Sequence, residues 1–293
     1  MTTRILPSFT LILPTSIEET IKLVAEYRGK AKILAGGTDV LVLMKNGMIA
    51  PKALIKIGKV KELHFIKCSL KKGLRLGPLA TIRDIERSAK IGDMYPLMVE
   101  AARAFGNIQI QNMATVGGNI CNASPAGDMI IPLLAMNAEI ELMASGRKKT
   151  LKLMEFFSGP GKSVLKPNEI LVGIKARPLS QRYGSCFIKI SRTAEDLSKI
   201  SVATVLTVRN TKFRDVRLSL GSVAPTPIKA VNTENYLEGR EVSEKVIDEA
   251  VAIACNEIKP ISDNRSTAKY RKEVAGVVIK SVIKKALDRR SIQ

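Results

Sequence analysis

Two short glycine-paired segments carry the most chemistry in this 293-residue chain. The first is Ala35-Gly36-Gly37-Thr38, entered directly from Ala31-Lys32-Ile33-Leu34, which reads as a short buried strand. The second is Thr115-Val116-Gly117-Gly118-Asn119, inside a longer stretch over 114–128. Paired glycines after a buried strand permit positive φ and let a ligand come close to the backbone. Successive N–H groups in such a turn form a concave anion site that needs no Lys or Arg. Neither 35–38 nor 114–127 contains a basic residue, although the chain has a net charge of +20. That combination points to backbone-mediated holding of a pyrophosphate-type ligand. Taken alone, Ala35-Gly36-Gly37-Thr38-Asp39 is a weak signal that suits an ordinary strand-to-helix turn better. The second loop is more particular. Thr115, Asn119 and Ser124 are small polar side chains suited to phosphate oxygens or sugar hydroxyls. Asp128 follows at an expected helix start, where a carboxylate is stabilised.

Other reactive residue types give less. Gly159-Pro160-Gly161-Lys162-Ser163 ends like a P-loop, but the first glycine of that motif falls at Phe156, so it reads as a loop before the strand at Glu169. The single histidine, His64, has only Glu62 nearby as a ligand type and reads as an incidental surface or strand-edge residue. The four cysteines, Cys68, Cys121, Cys186 and Cys255, lie far apart, with no Cys-x-x-Cys pair to support a zinc site or an iron–sulfur cluster. Scattered thiols suit a reducing compartment.

The elements that must position the loops follow from periodicity. Ser16 and Glu19 form a capping-box pattern ahead of Ile17, Ile21, Val24 and Ala25, which predicts a helix ending near Gly29. Strands are expected over 53–57 and 74–76, a capped helix from Thr81, and a helix over 96–105 with Pro96 early. Residues 107–127 show no helical period and read as a long functional loop, anchored by Ile108, Ile110, Val116 and Ile120. A helix over 128–136 and a strand over 139–142 follow. The pattern relaxes over 178–184, where a domain boundary is expected. Strands over 186–190, 202–208 and 216–220 then suggest an antiparallel sheet, and two helices carrying Val246–Ala254 and Val274–Val282 apolar faces close the chain.

Composition is ordinary for a globular protein: 45% hydrophobic and 25% charged. With no Trp and 4% aromatic residues, the core must rest on aliphatic side chains. No run approaches a membrane span, and the N-terminus, with Arg4 and Pro7, has no signal-peptide pattern, so a cytoplasmic address is expected. The basic excess raises nucleic acid as a partner. It is spread among apolar residues with no basic run longer than three and no interleaved aromatics, however, and this fits a solvated surface able to dock an acidic protein better.

The two loops, in this order and at this separation, resemble the FAD-binding subunit of the xanthine dehydrogenase, carbon monoxide dehydrogenase and aldehyde oxidoreductase family, across essentially the whole chain. The resemblance implies an α+β fold: a PCMH-type FAD-binding domain over 1–178, made of two α/β subdomains (about 1–55 and 56–178), and a C-terminal domain over 179–293 with a small antiparallel sheet and helices. It implies that residues 31–38 and 115–119 hold the FAD pyrophosphate and flanking groups, and that Asp128 contacts its hydroxyl-rich part. Leu171 matches a position packing near the flavin ring. Lys189 matches a basic residue approaching the ring, where a cation stabilises the reduced flavin; a surface lysine on a strand is the competing reading. The charged stretch 191–196 corresponds to a loop near the ring. The implied partners are a large molybdopterin subunit and a small [2Fe-2S] subunit, in a heterotrimer or its dimer, with electrons passed from the clusters through FAD to an external acceptor. Neither a cysteine-rich insertion nor a covalent-flavin pattern is present, although Cys121 lies inside the second loop. Two alternatives stay open: a stand-alone NADPH-dependent flavin reductase of related fold, and a basic nucleic-acid-binding protein.

Overall fold

Hydrogen bonding sorts the strands of the computed structural model, described for residues 5–179, 182–193 and 195–289, into three sheets and a hairpin. Arg4, residues 180 and 181 of the expected boundary, and Ala194 of the charged stretch lie outside the described residues. The first sheet is small and parallel. β1 (Thr10–Ile12), α1 (Ile17–Tyr27), β2 (Ala31–Leu34), α2 (Val40–Lys45) and β3 (Ala53–Lys56) follow one another, with strand order β1-β3-β2. α1 starts where expected, Ser16 Oγ accepting from the Glu19 N–H at 3.1 Å. The Glu19 carboxylate accepts from the Thr15 N–H at 2.7 Å, one residue further back than a capping box requires.

The second sheet is antiparallel, in the order β4-β5-β10-β6-β7. It begins with β4 (Ile66–Ser69) and β5 (Gly73–Leu76), followed by α3 (Ile82–Arg87), α4 (Ala89–Met94), α5 (Pro96–Arg103), α6 (Ile108–Met113), α7 (Val116–Asn122) and α8 (Ile130–Ala135). It is completed by β6 (Glu139–Ala144), β7 (Arg147–Lys152), the hairpin β8 (Phe157–Gly159) and β9 (Lys162–Ser163), and β10 (Ile170–Ala176). Ile82, Leu97, Ala101, Ile120, Ile131 and Leu134 bury against Leu76, Ile140 and Ile174 to make one core.

Residues 107–127 are not the long loop expected from periodicity; they contain α6 and α7. Each helix is too short for a 3.6-residue apolar repeat to register, and each is started by a side-chain cap. Asn107 Oδ1 accepts from the Ile110 N–H, and Thr115 Oγ1 from the Gly118 N–H, both at 3.0 Å. Likewise 159–163 is a hairpin rather than a plain loop.

The third sheet, β11 (Tyr183–Ile190), β12 (Ile200–Arg209), β13 (Lys212–Gly221) and β14 (Ile228–Lys229), is antiparallel in that order, as expected. α9 (Val231–Leu237), α10 (Glu244–Glu257) and α11 (Ala268–Arg289) complete the chain, their buried residues joining Val202, Leu218 and Leu220 in a second core. Among the described residues, no helix is long and apolar enough to cross a membrane.

Several side chains tie this last unit to the helices before it, among them the carboxylate of Glu100. Glu100 on α5 accepts from the Phe187 N–H of β11 at 2.7 Å and from Arg289 at the end of α11. Glu100→Ala leaves that N–H without its acceptor and Arg289 without its partner. It should lower the unfolding free energy by about 1–3 kcal/mol, read as a lower urea midpoint; an unchanged midpoint would remove Glu100 as a tie between these elements.

Candidate functional site

The two glycine loops meet backbone to backbone. An ideal Cβ on Gly36 would stand 1.8 Å from the Met113 carbonyl oxygen, so no side chain fits there. The second loop is in turn fastened to the link between β5 and α3. Val116 N–H donates to Ala80 O, Gly117 N–H to Pro78 O, and Ile82 N–H to Ala114 O, each at 3.0 Å. A Cβ on Gly117 would meet Pro78 Cβ at 2.4 Å. Gly36 and Gly117 are therefore required by packing and Gly37 by its left-handed φ of +81°. Gly118 is different. Its φ is not in the left-handed region, and its missing Cβ would touch only Thr115 Oγ1, at 3.1 Å.

Between the loops lies a cavity of about 490 Å³, within the range of small-molecule and cofactor sites. Ala35, Gly36, Gly37 and Thr38 line it from one side, and Thr115, Gly117, Gly118 and Asn119 from the other. Ala31, Lys32 and Ile33 of β2 and Leu171 of β10 also line it. Leu34 and Val116 sit behind, in the hydrophobic cores. Apolar wall comes from Val24, Ile55, Ile57, Leu63 and Phe105.

The loops differ in what their N–H groups do. In the second, Val116, Gly117, Gly118 and Asn119 all donate within the protein, the last to Thr115 O at 3.0 Å. In the first, among the described residues, the N–H groups of Gly36, Gly37, Thr38 and Asp39 have no protein acceptor. Among the described residues, a row of backbone amides without protein acceptors thus belongs to the first loop and not to the second, a distinction the sequence pattern did not carry. The polar side chains expected to serve from 115–124 are partly engaged too: Asn119 Oδ1 accepts from the Met129 N–H and Ser124 Oγ from the Ala126 N–H, both at 3.2 Å. Ser124 is not among the lining residues.

Asp128 and Lys189 stand apart from the lining residues, with side chains only 5% and 3% exposed. Lys189 Nζ donates to Asp128 Oδ2 at 2.7 Å and to Ala104 O at 2.8 Å, beside the cavity-lining Phe105. Lys189 is consequently no surface lysine. Asp128 does not cap α8, whose N-cap is Met129; its stabilising partner is the ammonium, not the helix start. Burial pushes its carboxyl up to about 6 against the pull of Lys189, and Asp128 Oδ1 is buried without a hydrogen-bond partner.

Sequence reasoning missed further lining residues. Lys166 joins Lys32 as a cation on the wall, so the loops are cation-free but the cavity is not. Gly161 and Ser163, set aside with the discarded P-loop ending, line the same cavity. Their hairpin is pinned by the Gly161 N–H donating to Ala123 O at 3.0 Å. No short-range pattern could have announced that contact. Cys121 lines the cavity as well, and burial pushes its thiol up to about 12. His64 Nε2 lies 3.0 Å from the Asp84 carboxylate, away from the cavity.

A family profile described as the FAD binding domain in molybdopterin dehydrogenase matches residues 7–176, and one described as the CO dehydrogenase flavoprotein C-terminal domain matches residues 185–286. The chain belongs to this flavoprotein family. It is 30% identical to the glyceraldehyde dehydrogenase medium chain of Sulfolobus acidocaldarius, over 95% of this chain and 98% of the relative. It is 29% identical to the xanthine dehydrogenase FAD-binding subunit of Escherichia coli O157:H7, over 93% and 94%. Among solved structures, carbon monoxide dehydrogenase from Hydrogenophaga pseudoflava superposes with a TM-score of 0.94 at 28% identity, over 97% of this chain and 99% of that one. The family membership makes the chain an FAD-binding subunit of the molybdenum hydroxylase class, with the α+β fold expected of it.

The buried ion pair gives a test of its own. Asp128→Ala strands the Lys189 ammonium without a counter-charge and should cost the cofactor-free chain about 3–5 kcal/mol. Replacing both, Asp128→Leu with Lys189→Met, should recover most of that loss in a denaturant titration. Equal losses in the single and double variants would show that the two side chains do not act as a pair.

Proposed function

We propose that this cavity holds FAD, with the pyrophosphate on the amide row of Gly36–Asp39, and that the chain carries electrons between a molybdenum-and-iron–sulfur donor assembly and an external acceptor. The observation carrying the reading is the row of N–H groups without a protein acceptor among the described residues, on residues that line a cavity closed on its other side by Thr115, Gly117, Gly118 and Asn119. The apolar wall of Val24, Ile55, Ile57, Phe105 and Leu171 suits the planar ring systems at either end of such a molecule. Asp128 and Lys189 lie outside the cavity lining and join it through the Ala104 carbonyl, next to the lining Phe105. The chemistry the cofactor supplies when bound is the uptake of electrons and their release to an acceptor. The protein's share is to hold it, to exclude water from the apolar walls, and to keep a fixed cation at Lys189 that favours negative charge nearby.

We place the domain boundary at 178/179, with subdomains about 1–55 and 56–178, and the chain in the cytoplasm, where its four free cysteines would stay reduced. The partners proposed are a large molybdopterin subunit and a small [2Fe-2S] subunit, in a heterotrimer or its dimer. The exposed lysine excess suits docking on a more acidic partner. In native purification the chain should elute with both subunits, molybdenum (or tungsten) and iron. Elution alone with NADPH-dependent turnover would favour a free-standing reductase instead.

The purified chain should bind about one FAD per chain without a covalent bond, because its sequence carries no Cys or His pattern for a flavin link, and burial raises the Cys121 thiol away from thiolate formation. Acid precipitation should leave the yellow colour in the supernatant; colour in the pellet contradicts the non-covalent reading. Gly118→Val, whose added Cβ would meet only Thr115 Oγ1 at 3.1 Å and needs that side chain to shift slightly, should remove FAD binding while the circular dichroism stays unchanged. Undiminished occupancy in that variant would place the ligand elsewhere.

A further inference from the structure

One contact joins the loops at the opposite end from Gly36. Asn122 Nδ2, in the last turn of α7, donates to Asp39 Oδ1 at 3.0 Å, across 83 residues of sequence. Both residues line the cavity. Asp39 is the N-cap of α2, a position where an aspartate normally accepts from its own helix, yet it makes no side-chain bond there. Its carboxylate is instead aimed across the cavity at the second loop. Asn122 directly precedes Ala123, whose left-handed φ of 51° ends α7 and whose carbonyl accepts the Gly161 N–H of the β8–β9 hairpin. One line of hydrogen bonds therefore runs from the first loop through the second to the third wall.

We propose that Asp39 and Asn122 form a latch that fixes the angle between the two glycine loops and thereby sets how tightly FAD is held. The inference rests on the FAD reading above and adds positioning residues to it. The apolar core beneath holds the two layers together, and the Gly36–Met113 approach fixes the loops at one point. A second contact three residues further along the first loop fixes them at another, so Gly37 and Thr38 face Gly118 and Asn119 at one spacing. A site pre-organised in this way binds more tightly because less ordering is left to the binding step. A carboxylate beside an anion-binding row is otherwise unfavourable, which makes a purely incidental Asp39 a poor explanation of its place. The partner of the latch must be a neutral donor, and Asn122 is one.

The test is the FAD dissociation constant of the full chain, measured by fluorescence titration, in the wild type and six variants. Asp39→Ala and Asn122→Ala should each weaken binding roughly tenfold, and the doubly substituted chain no further than either alone. Asp39→Asn keeps an acceptor for Asn122 and should stay near wild type. Asn122→Asp sets two carboxylates against each other and should weaken binding more than Asn122→Ala. Combining Asp39→Asn with Asn122→Asp reverses the direction of the hydrogen bond and should restore most of the affinity, a rescue that a merely structural role would not give. The melting temperature of the FAD-free chain checks that each variant is folded. A wild-type chain that binds FAD, with every variant binding equally well or with alanine effects that add, overturns the latch alone. Failure of the swapped pair to improve on Asn122→Asp overturns it too. A folded wild-type chain that takes up no FAD overturns the cofactor reading and the latch with it.

Discussion

The arrangement of the site depends on one close approach: the backbone of Gly36 against the Met113 carbonyl. A Cβ there would sit 1.8 Å from that oxygen, inside any permitted contact distance. Gly36 lies two residues past β2 of the parallel sheet and Met113 ends a helix of the antiparallel unit, so this contact, together with the apolar core shared by Val24, Ile55, Leu79 and Ile170, holds the two layers against each other. The cavity is the space left beside it. Gly117 repeats the device on the other side, where its missing Cβ admits Pro78 and lets α7 lie flat against the β5–α3 link. These glycines are thus first a condition of assembly, and the ligand site is a consequence of that assembly.

From this follows a division of labour. The second loop uses its N–H groups to fasten itself, through Ala80, Pro78 and Thr115, and so presents a rigid wall. The N–H groups of the first loop have no protein acceptor among the described residues, which suits the proposed role of holding the ligand. Fixed wall and open amides together suit an elongated anionic ligand better than two flexible glycine turns would, since the ordering cost is met in the fold and not on binding. Behind the far wall, a buried Lys189–Asp128 pair lets the third sheet contribute a charge without contributing a surface. That pair is stable only as a pair, and Glu100 helps hold the sheet that carries it.

Much of this was legible in the residues. The glycine pairs, the strand leading into the first loop, the small polar set around the second and the antiparallel C-terminal sheet all have local signatures of spacing and alternation. What was not legible has a common physical cause: contacts between residues distant in sequence. Gly161 and Ser163 reach the cavity only because the hairpin folds back onto Ala123. Lys189 alternates on its strand like any other residue, and nothing local says that its ammonium is buried against Asp128. The two helices within 107–127 escaped because six or seven residues are too few for a period, so their caps at Asn107 and Thr115 were the only sign. The different reasons for the four glycines became visible only once neighbours and dihedrals were known.

The measurement that bears most directly on the central claim is amide hydrogen exchange of the purified chain with and without FAD, resolved to the two loops. The expected result is a marked gain in protection at Gly36, Gly37, Thr38 and Asp39, whose N–H groups have no protein acceptor among the described residues, with little change at Val116–Asn119, whose groups are already bonded. FAD binding that leaves residues 36–39 exchanging at their free rate would contradict the assignment of the first loop as the anion-holding surface.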